Sequence, residues 1–129
     1  MVCTEGKVFL LRNLPIDFCV SVCMRYEIEK NGEGFAVTLC DGPRDLLMKR
    51  KVKTKPEAVH AVASIMRYGG DHDRYRVGKG MDGLYYISLH SPSGRNLGFC
   101  SPVGSEEERD ELINACATAS QGAKIMDLA

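Results

Sequence analysis

The chain has 129 residues, of which 44% are apolar and 26% charged, a size and composition ordinary for one soluble globular domain. Seventeen basic residues balance seventeen acidic ones, which counts against a nucleic-acid-binding protein of strongly basic composition. No stretch approaches the roughly 20 apolar residues that a membrane-spanning helix needs, so we expect no membrane contact.

The first 23 residues form a segment with two possible interpretations. Residues 7–11 and 18–22 fit two short strands that would add a hairpin to a sheet edge. The interpretation that we prefer is that Met24 is the true start and residues 1–23 are an extension. Because charged residues and Pro15 interrupt the apolar stretch, the segment does not resemble a signal peptide, and we expect a cytoplasmic location.

Residues 24–53 predict three strands joined by short turns. Polar and apolar residues alternate from Tyr26 onwards and again over residues 35–39, and the Asn-Gly pair between them favours a tight turn. The third strand is marked by Leu46, Met48 and Val52. Three strands with such short connections are typical of an antiparallel meander.

A helix is predicted to follow. Thr54 and Glu57 form a capping box, in which each side chain binds the other residue's backbone N–H. Pro56 in the first turn costs no needed donor, and two glycines after Tyr68 end the helix. The stripe at helical spacing consists of Ala58, Ala61, Val62, Ile65 and Met66.

Residues 74–122 predict the same order of elements. Strands are expected near residues 75–79, 84–90 and 96–101, and Ser105 with Glu108 forms the matching capping box. Gly122 ends the second helix, and we expect residues 123–129 to form a short helical or frayed C-terminal tail.

The two stretches align with each other. Arg25-Tyr26 corresponds to Arg74-Tyr75, Leu39 to Leu89 and Leu46 to Leu97, with the extra residues in turns. A unit of this length that occurs twice is typical of two half-domains that bury one common core. We therefore predict an α+β fold with one domain, residues 24–122. It contains two tandem βββα repeats, 24–70 and 74–122, which form one antiparallel sheet with the helices packed on one face.

Turn glycines, alternating strand residues, a helix cap and an apolar helix residue recur in both units. In the second unit they are Gly83, Tyr85, Ile87, Leu89, Gly94, Leu97, Ser101, Ser105 and Ile113. In the first unit they are Gly34, Phe35, Val37, Leu39, Gly42, Leu46, Thr54, Ala58 and Val62. Over residues 24–122 this pattern resembles the YegP-like family, small bacterial proteins of unestablished function. The resemblance implies the tandem βββα fold and no catalytic residues, and the chain departs from it at Cys40-Asp41 and His90-Ser91, where the family commonly has Lys-Ala.

Five basic side chains occur close together. They are Lys49, Arg50, Lys51, Lys53 and Lys55. Strand alternation predicts that the four lysines lie on the solvent face, where they would neutralise the phosphates of a nucleic acid. The alternative, which we favour, is a solvated strand whose lysines discourage edge-to-edge aggregation. The corresponding residues 98–103 are not basic, which counts against a continuous nucleic-acid track.

Tyrosines on a sheet can stack against nucleic-acid bases. Tyr26 and Tyr75 occupy corresponding positions, which favours packing in the core. Tyr86 is predicted to point away from the face of Tyr85, so it is the best candidate for an exposed aromatic residue. Tyr86 and the five basic residues form our candidate binding set for an anionic partner.

Histidines and cysteines give no recognisable active site. None of His60, His72 and His90 pairs with a nucleophile or a carboxylate motif, and His60 is predicted to be exposed on its helix. The cysteines are Cys3, Cys19, Cys23, Cys40, Cys100 and Cys116, and they lack metal-site spacing. We expect reduced thiols, with Cys116 in the core and Cys40 and Cys100 partly exposed. No catalytic residue, metal or cofactor is predicted.

The favoured hypothesis is a small, non-catalytic binding or adaptor module. A protein partner would meet an exposed sheet face or edge, for example by strand addition. The first alternative is a nucleic-acid-associated module that uses the basic third strand, and a metal or thiol site is a weaker one. Two repeats can complete the sheet internally, so a monomer suffices, whereas an unpaired edge would favour a homodimer.

Overall fold

The structure is a computed structural model that describes residues 24–129. The hairpin and the extension considered for residues 1–23 lie outside the described residues. The strands are β1 (Met24–Asn31), β2 (Gly34–Asp41), β3 (Arg44–Val52), β4 (Tyr75–Lys79), β5 (Tyr85–His90), β6 (Asn96–Phe99) and β7 (Lys124–Asp127). The helices are α1 (Lys55–Tyr68) and α2 (Glu106–Gly122), with a 3₁₀ turn at His72–Arg74. Neither α1 nor α2 is long and apolar enough to cross a membrane.

The seven strands form one mixed sheet with the order β4-β5-β6-β3-β2-β1-β7. All neighbours from β4 to β1 are antiparallel, and β1 and β7 are parallel. The fold is therefore α+β, but the prediction of a purely antiparallel sheet was wrong. The two βββα repeats stay an interpretation of the sequence.

The parallel strand comes from the C-terminal residues. Residues 123–129 were expected to be a short helical or frayed tail, but Lys124–Asp127 pairs with Arg25–Ile28 as β7. The backbone N–H of Leu128 extends this pairing by donating to Ile28 O at 2.8 Å. The last residues therefore add an outer strand to the sheet beside β1.

Both helices begin with the predicted hydroxyl cap, but the two caps differ. At α1, Thr54 Oγ1 accepts from the Glu57 N–H and Glu57 accepts from the Thr54 N–H, both at 3.2 Å, so this capping box is confirmed. At α2, Ser105 Oγ accepts from the Glu108 N–H at 3.1 Å. The Glu108 carboxylate instead reaches the N–H of Gly104, at 3.3 Å, so the second cap is not the reciprocal box predicted.

One hydrophobic core lies between the sheet and the two helices. We call this side of the sheet the helix face and the other side the opposite face. Ile65 of α1 and Cys116 of α2 are fully buried against the same strands. Tyr26 and Tyr75 are buried too, which confirms their predicted core role, and their hydroxyls donate to Ser120 O and Gly69 O, both at 2.7 Å. Each tyrosine therefore satisfies a carbonyl at the end of a helix, where no intrahelical donor remains.

Candidate anion-binding site

A β-bulge near the end of β3 determines where the basic side chains point. Val37 pairs with Lys49, but Phe35 pairs with Val52, so β3 has one more residue than β2 in this interval. Lys51 has φ 63°, a left-handed conformation that is costly for a residue with a side chain. The bulge therefore interrupts the alternation on which the sequence prediction depended.

The register places Lys49 on the helix face, not on a separate solvent face. Its partner Val37 is buried in the core, and directly opposed residues of antiparallel strands point to the same side. Beyond the bulge, Val52 is also on this face and is buried beside Ala61 of α1. The prediction that Met48 lies on the same face of β3 as Val52 was therefore wrong. Met48 pairs with Thr38 and Phe99 on the opposite face.

The structure separates the five basic residues into three groups. Lys49, Lys51 and Lys53 line one cleft beside α1. Arg50 lies on the opposite face, where its guanidinium stands 5.9 Å from the centre of the Phe99 ring. Lys55 binds Asp127 of β7, with 2.6 Å between Nζ and Oδ2.

Tyr86 is not part of the cleft either. Its side chain is 45% exposed, which confirms the predicted exposure, and its hydroxyl donates to Asp82 Oδ2 at 2.6 Å. That hydrogen bond lowers the pKa of Asp82 and raises the pKa of Tyr86. The candidate set therefore does not form one surface, and only the three lysines of the cleft lie together.

The cleft has three walls and a volume of about 310 Å³. The end of β3 contributes the lysines, α1 contributes His60 and Ser64, and the β5–β6 turn contributes Arg95. Pockets of a few hundred cubic ångströms are the size that small-molecule ligands occupy. The cleft is therefore large enough for a small ligand and is lined mainly by hydrogen-bond donors.

Lys49 is the most enclosed of these cations. It is half-buried, and its Nζ donates to Asn96 O at 3.1 Å, which holds the ammonium against the β6 wall. Burial and, secondly, the nearby Arg95 guanidinium lower the pKa of Lys49, whereas Glu57 opposes the shift. A bound anion would relieve the repulsion between Lys49 and Arg95 and so favour the charged ammonium.

Arg95 is the site residue that the sequence interpretation missed. The β5–β6 turn holds its backbone firmly, because Arg95 O accepts from the Ser91 N–H at 2.9 Å and the Arg95 N–H donates to Ser91 Oγ at 3.2 Å. The Ser93-Gly94-Arg95-Asn96 segment is too short to match a phosphate-loop motif. Only the pairing of β6 with β3 brings it beside Lys49, and no local signal in the turn predicts that neighbour.

The cations of the cleft lack fixed counter-ions within residues 24–129. Glu57 is the only acidic side chain in the wall, and its carboxylate accepts hydrogen bonds from Thr54 at the helix cap. The ion pairs in this part of the chain do not involve Lys49, Lys51, Lys53 or Arg95. The site therefore presents four cationic side chains against one carboxylate, an excess of positive charge that suits an oxyanion.

The other candidate groups have structural partners. His60 is exposed as predicted and lines the cleft, whereas His72 Nε2 lies 2.8 Å from Asn114 Oδ1 and His90 Nε2 lies 2.8 Å from Ser88 Oγ. Within residues 24–129, no three His, Cys, Asp or Glu side chains are grouped as metal ligands would be.

Three cysteines lie in the described part of the chain. Cys116 is fully buried, as predicted, but the expectation that Cys40 and Cys100 are partly exposed was wrong, since they are 1% and 3% exposed. Burial, and after it the charge of Glu27, raises the pKa of Cys40 to about 12. The pKa of Cys116 is raised as well, first by its hydrogen bond with Cys100 and then by burial. A reactive thiol needs the opposite environment, exposed and of lowered pKa.

The comparisons with known proteins give a fold and no activity. No family model matches the chain, and no curated protein shows significant similarity to it. The protein of unknown function YegP from E. coli has a similar structure, with a TM-score of 0.75 and 18% identity over 81% of this chain and 92% of YegP. A UPF0339 protein from Shewanella oneidensis is also similar, with a TM-score of 0.74 and 20% sequence identity. The match covers 81% of this chain and 90% of that protein. The chain therefore shares the fold of these YegP-like structures, as the resemblance in the sequence implied.

Proposed function

We propose that this protein is a non-catalytic binding module that takes an anionic group, in the first place a phosphate, in the cleft beside α1. The observation that carries the proposal is the convergence of Lys49 of β3 and Arg95 of the β5–β6 turn in one cleft, where neither forms an ion pair within residues 24–129. The positive charges of Lys49 and Arg95 repel each other in the empty cleft, and an oxyanion between them would offset that repulsion.

The bulge supports a binding role for the same cleft. Backbone strain of this kind costs stability, and it is found preferentially at sites where a side chain must be aimed. At Lys51 the strained conformation turns the chain so that cationic side chains on both sides of the bulge line the cleft. A strand that only faces solvent would not need a strained backbone conformation at Lys51.

Two functions predicted from the sequence have less support. Strand addition by a protein partner would use an outer strand, and on β4 the side chain of Val77 is 43% exposed. Nucleic-acid binding along β3 needs a continuous basic row, but Arg50 points away from Lys49 and Lys51. Both remain hypotheses that the cleft does not require.

The test is a titration of the protein with inorganic phosphate, followed by two-dimensional amide NMR. We expect saturable shifts at Asn96 and at residues 49–53, and weaker binding at high salt, since the contacts are electrostatic. Lys49→Gln and Arg95→Gln are each expected to weaken binding about tenfold, because a charge-assisted contact is lost.

Arg50→Gln is the matched control. It removes the same charge from the adjacent position of β3, but on the opposite face of the sheet. Its affinity for phosphate should stay within about twofold of the wild type if the cleft is the site. Equal losses in Lys49→Gln and Arg50→Gln would mean that net charge alone attracts the anion, and the proposal would fail.

A further inference from the structure

The cleft continues along α1 into a second region of about 260 Å³. Four residues line both regions, His60, Ser64, Arg95 and Leu97. They form the floor and sides of one continuous groove, which passes from the lysines of β3 to the C-terminal end of α1. The groove therefore has room for a ligand longer than a single phosphate.

Arg67 places a separate cation at the far end of this groove. It lies seven residues after His60 on α1, which corresponds to roughly 10 Å along the helix axis. Its guanidinium stands 5.5 Å from the centre of the Tyr68 ring, a contact that orients the side chain. Among residues 24–129, Arg67 belongs to no ion pair, so its donors are free for a ligand.

The middle of the groove also contains three hydroxyl groups. Ser64 of α1 faces Ser91 and Ser93 of the β5–β6 turn across it. Ser91 and Ser93 share a hydrogen bond of 2.9 Å between their hydroxyls, so the turn presents fixed hydroxyl groups. Hydroxyls that both donate and accept suit a ligand body that carries hydroxyl groups of its own.

We infer that the ligand class is a small polyol or sugar that carries a phosphate at each end. One phosphate lies between Lys49 and Arg95, the hydroxylated body lies along Ser64 and the turn, and the second phosphate reaches Arg67. The inference rests on the proposed function, because it needs the first phosphate site. It adds the length of the ligand and the role of Arg67.

The experiment measures the affinities of three probes by calorimetric titration. The probes are inorganic phosphate, fructose 6-phosphate and fructose 1,6-bisphosphate. We expect the bisphosphate to bind at least tenfold more tightly than the monophosphate. Arg67→Gln should reduce the affinity for the bisphosphate to that for the monophosphate and leave inorganic phosphate unchanged. Lys49→Gln should weaken all three probes.

Arg76→Gln serves as the control, because Arg76 is exposed on β4 and lies outside the groove. It should leave all three affinities unchanged, and circular dichroism of each variant checks that the fold is intact. Suppose that phosphate binds through Lys49 but that the bisphosphate binds no more tightly than the monophosphate, or binds more tightly even in Arg67→Gln. The inference is then overturned and the proposed function survives. If no probe binds, or Lys49→Gln has no effect, both are overturned.

Discussion

The spaces beside the two helices differ more than the helices themselves. α1 and α2 lie on the same sheet, begin with a hydroxyl cap and bury one apolar stripe. Beside α1 lies an open basic cleft. Beside the start of α2 lies Tyr85, whose ring is 5.2 Å from the Arg109 guanidinium and whose hydroxyl is 3.5 Å from Glu106 Oε2.

The difference comes from the strands and not from the helices. The alignment of the two halves pairs Lys49 with Cys100, and Cys100 is buried with its Sγ 3.7 Å from Cys116 Sγ. β3 continues through its bulge to Val52, whereas β6 ends at Phe99 and only an isolated bridge joins Tyr85 to Val103. A similar frame therefore holds a polar cleft on one side and a filled core on the other, depending on a few strand residues.

The largest effect is expected when the aligned residues Lys49 and Cys100 are each replaced by the other residue type. Cys100→Lys places a charge in the core beside Cys116, and we expect a loss of about 3–5 kcal/mol in the free energy of unfolding, or no folding at all. Lys49→Cys should cost at most about 1 kcal/mol, because Lys49 is only half-buried, yet weaken phosphate binding about tenfold, as Lys49→Gln does. Urea denaturation measures both, and equal costs would show that the two sites are alike.

The two buried tyrosines sharpen the comparison at the helix ends. Tyr26→Phe leaves Ser120 O without its donor, and Tyr75→Phe leaves Gly69 O without its donor; we expect each to cost about 1–3 kcal/mol. Tyr26→Phe should cost more, because it breaks a bond between β1 and α2, far apart in the sequence.

Tyr86→Phe is the control for both variants. The exposed Tyr86 hydroxyl binds Asp82 at the surface, so its loss should leave the free energy of unfolding nearly unchanged. Thermal and urea unfolding would measure all three proteins. A cost for Tyr86→Phe as large as that for Tyr26→Phe would contradict the assigned role of the buried hydroxyls.

Lys51 tests whether strain at the bulge distinguishes β3 from β6. Lys51→Val should destabilise the fold by about 1–2 kcal/mol, because a β-branched residue strongly disfavours φ 63°. Lys51→Gly should be neutral or stabilise slightly, since glycine adopts this conformation without steric cost. Lys53→Val, which follows the bulge, is the control. If the glycine and valine variants have the same stability, Lys51 is not strained.

The smallest effect concerns the contact between α1 and β7, which α2 does not make. The hydrogen bond from Lys55 lowers the pKa of Asp127, so the pair contributes stability above the usual carboxyl pKa of 3.8 and loses it as the pH falls through the lowered value. Because Asp127 is exposed, we expect Lys55→Gln to change global stability little.

Hydrogen exchange is the sensitive measurement for this pair. The backbone N–H of Leu128, which donates to Ile28 O, should exchange faster in Lys55→Gln than in the wild type, while amides of β2 stay protected. Unchanged exchange at the C-terminal end of β7 would show that the ion pair does not hold this strand.

Local patterns in the sequence predict the elements well. The three short strands, the Thr54 cap and the helical stripe of each half depend on turn chemistry and side-chain periodicity, which act within a few residues. The core positions of Tyr26, Tyr75 and Cys116 follow from the same periodicity. The predicted exposure of Tyr86 is correct for the same reason.

The site depends on information that no local pattern contains. Two register shifts between β2 and β3, one on each side of Met48 and Lys49, set the faces of these residues, and the pairing of β6 with β3 brings Arg95 to Lys49. The parallel position of β7 likewise depends on where α2 ends on the finished sheet. By itself the sequence determined the six strands and two helices of residues 24–122 and the apolar stripes of the helices, because propensities and caps are local energies. Only the tertiary structure decided the register, the mixed sheet and the basic cleft, because each arises from contacts between residues far apart in the chain.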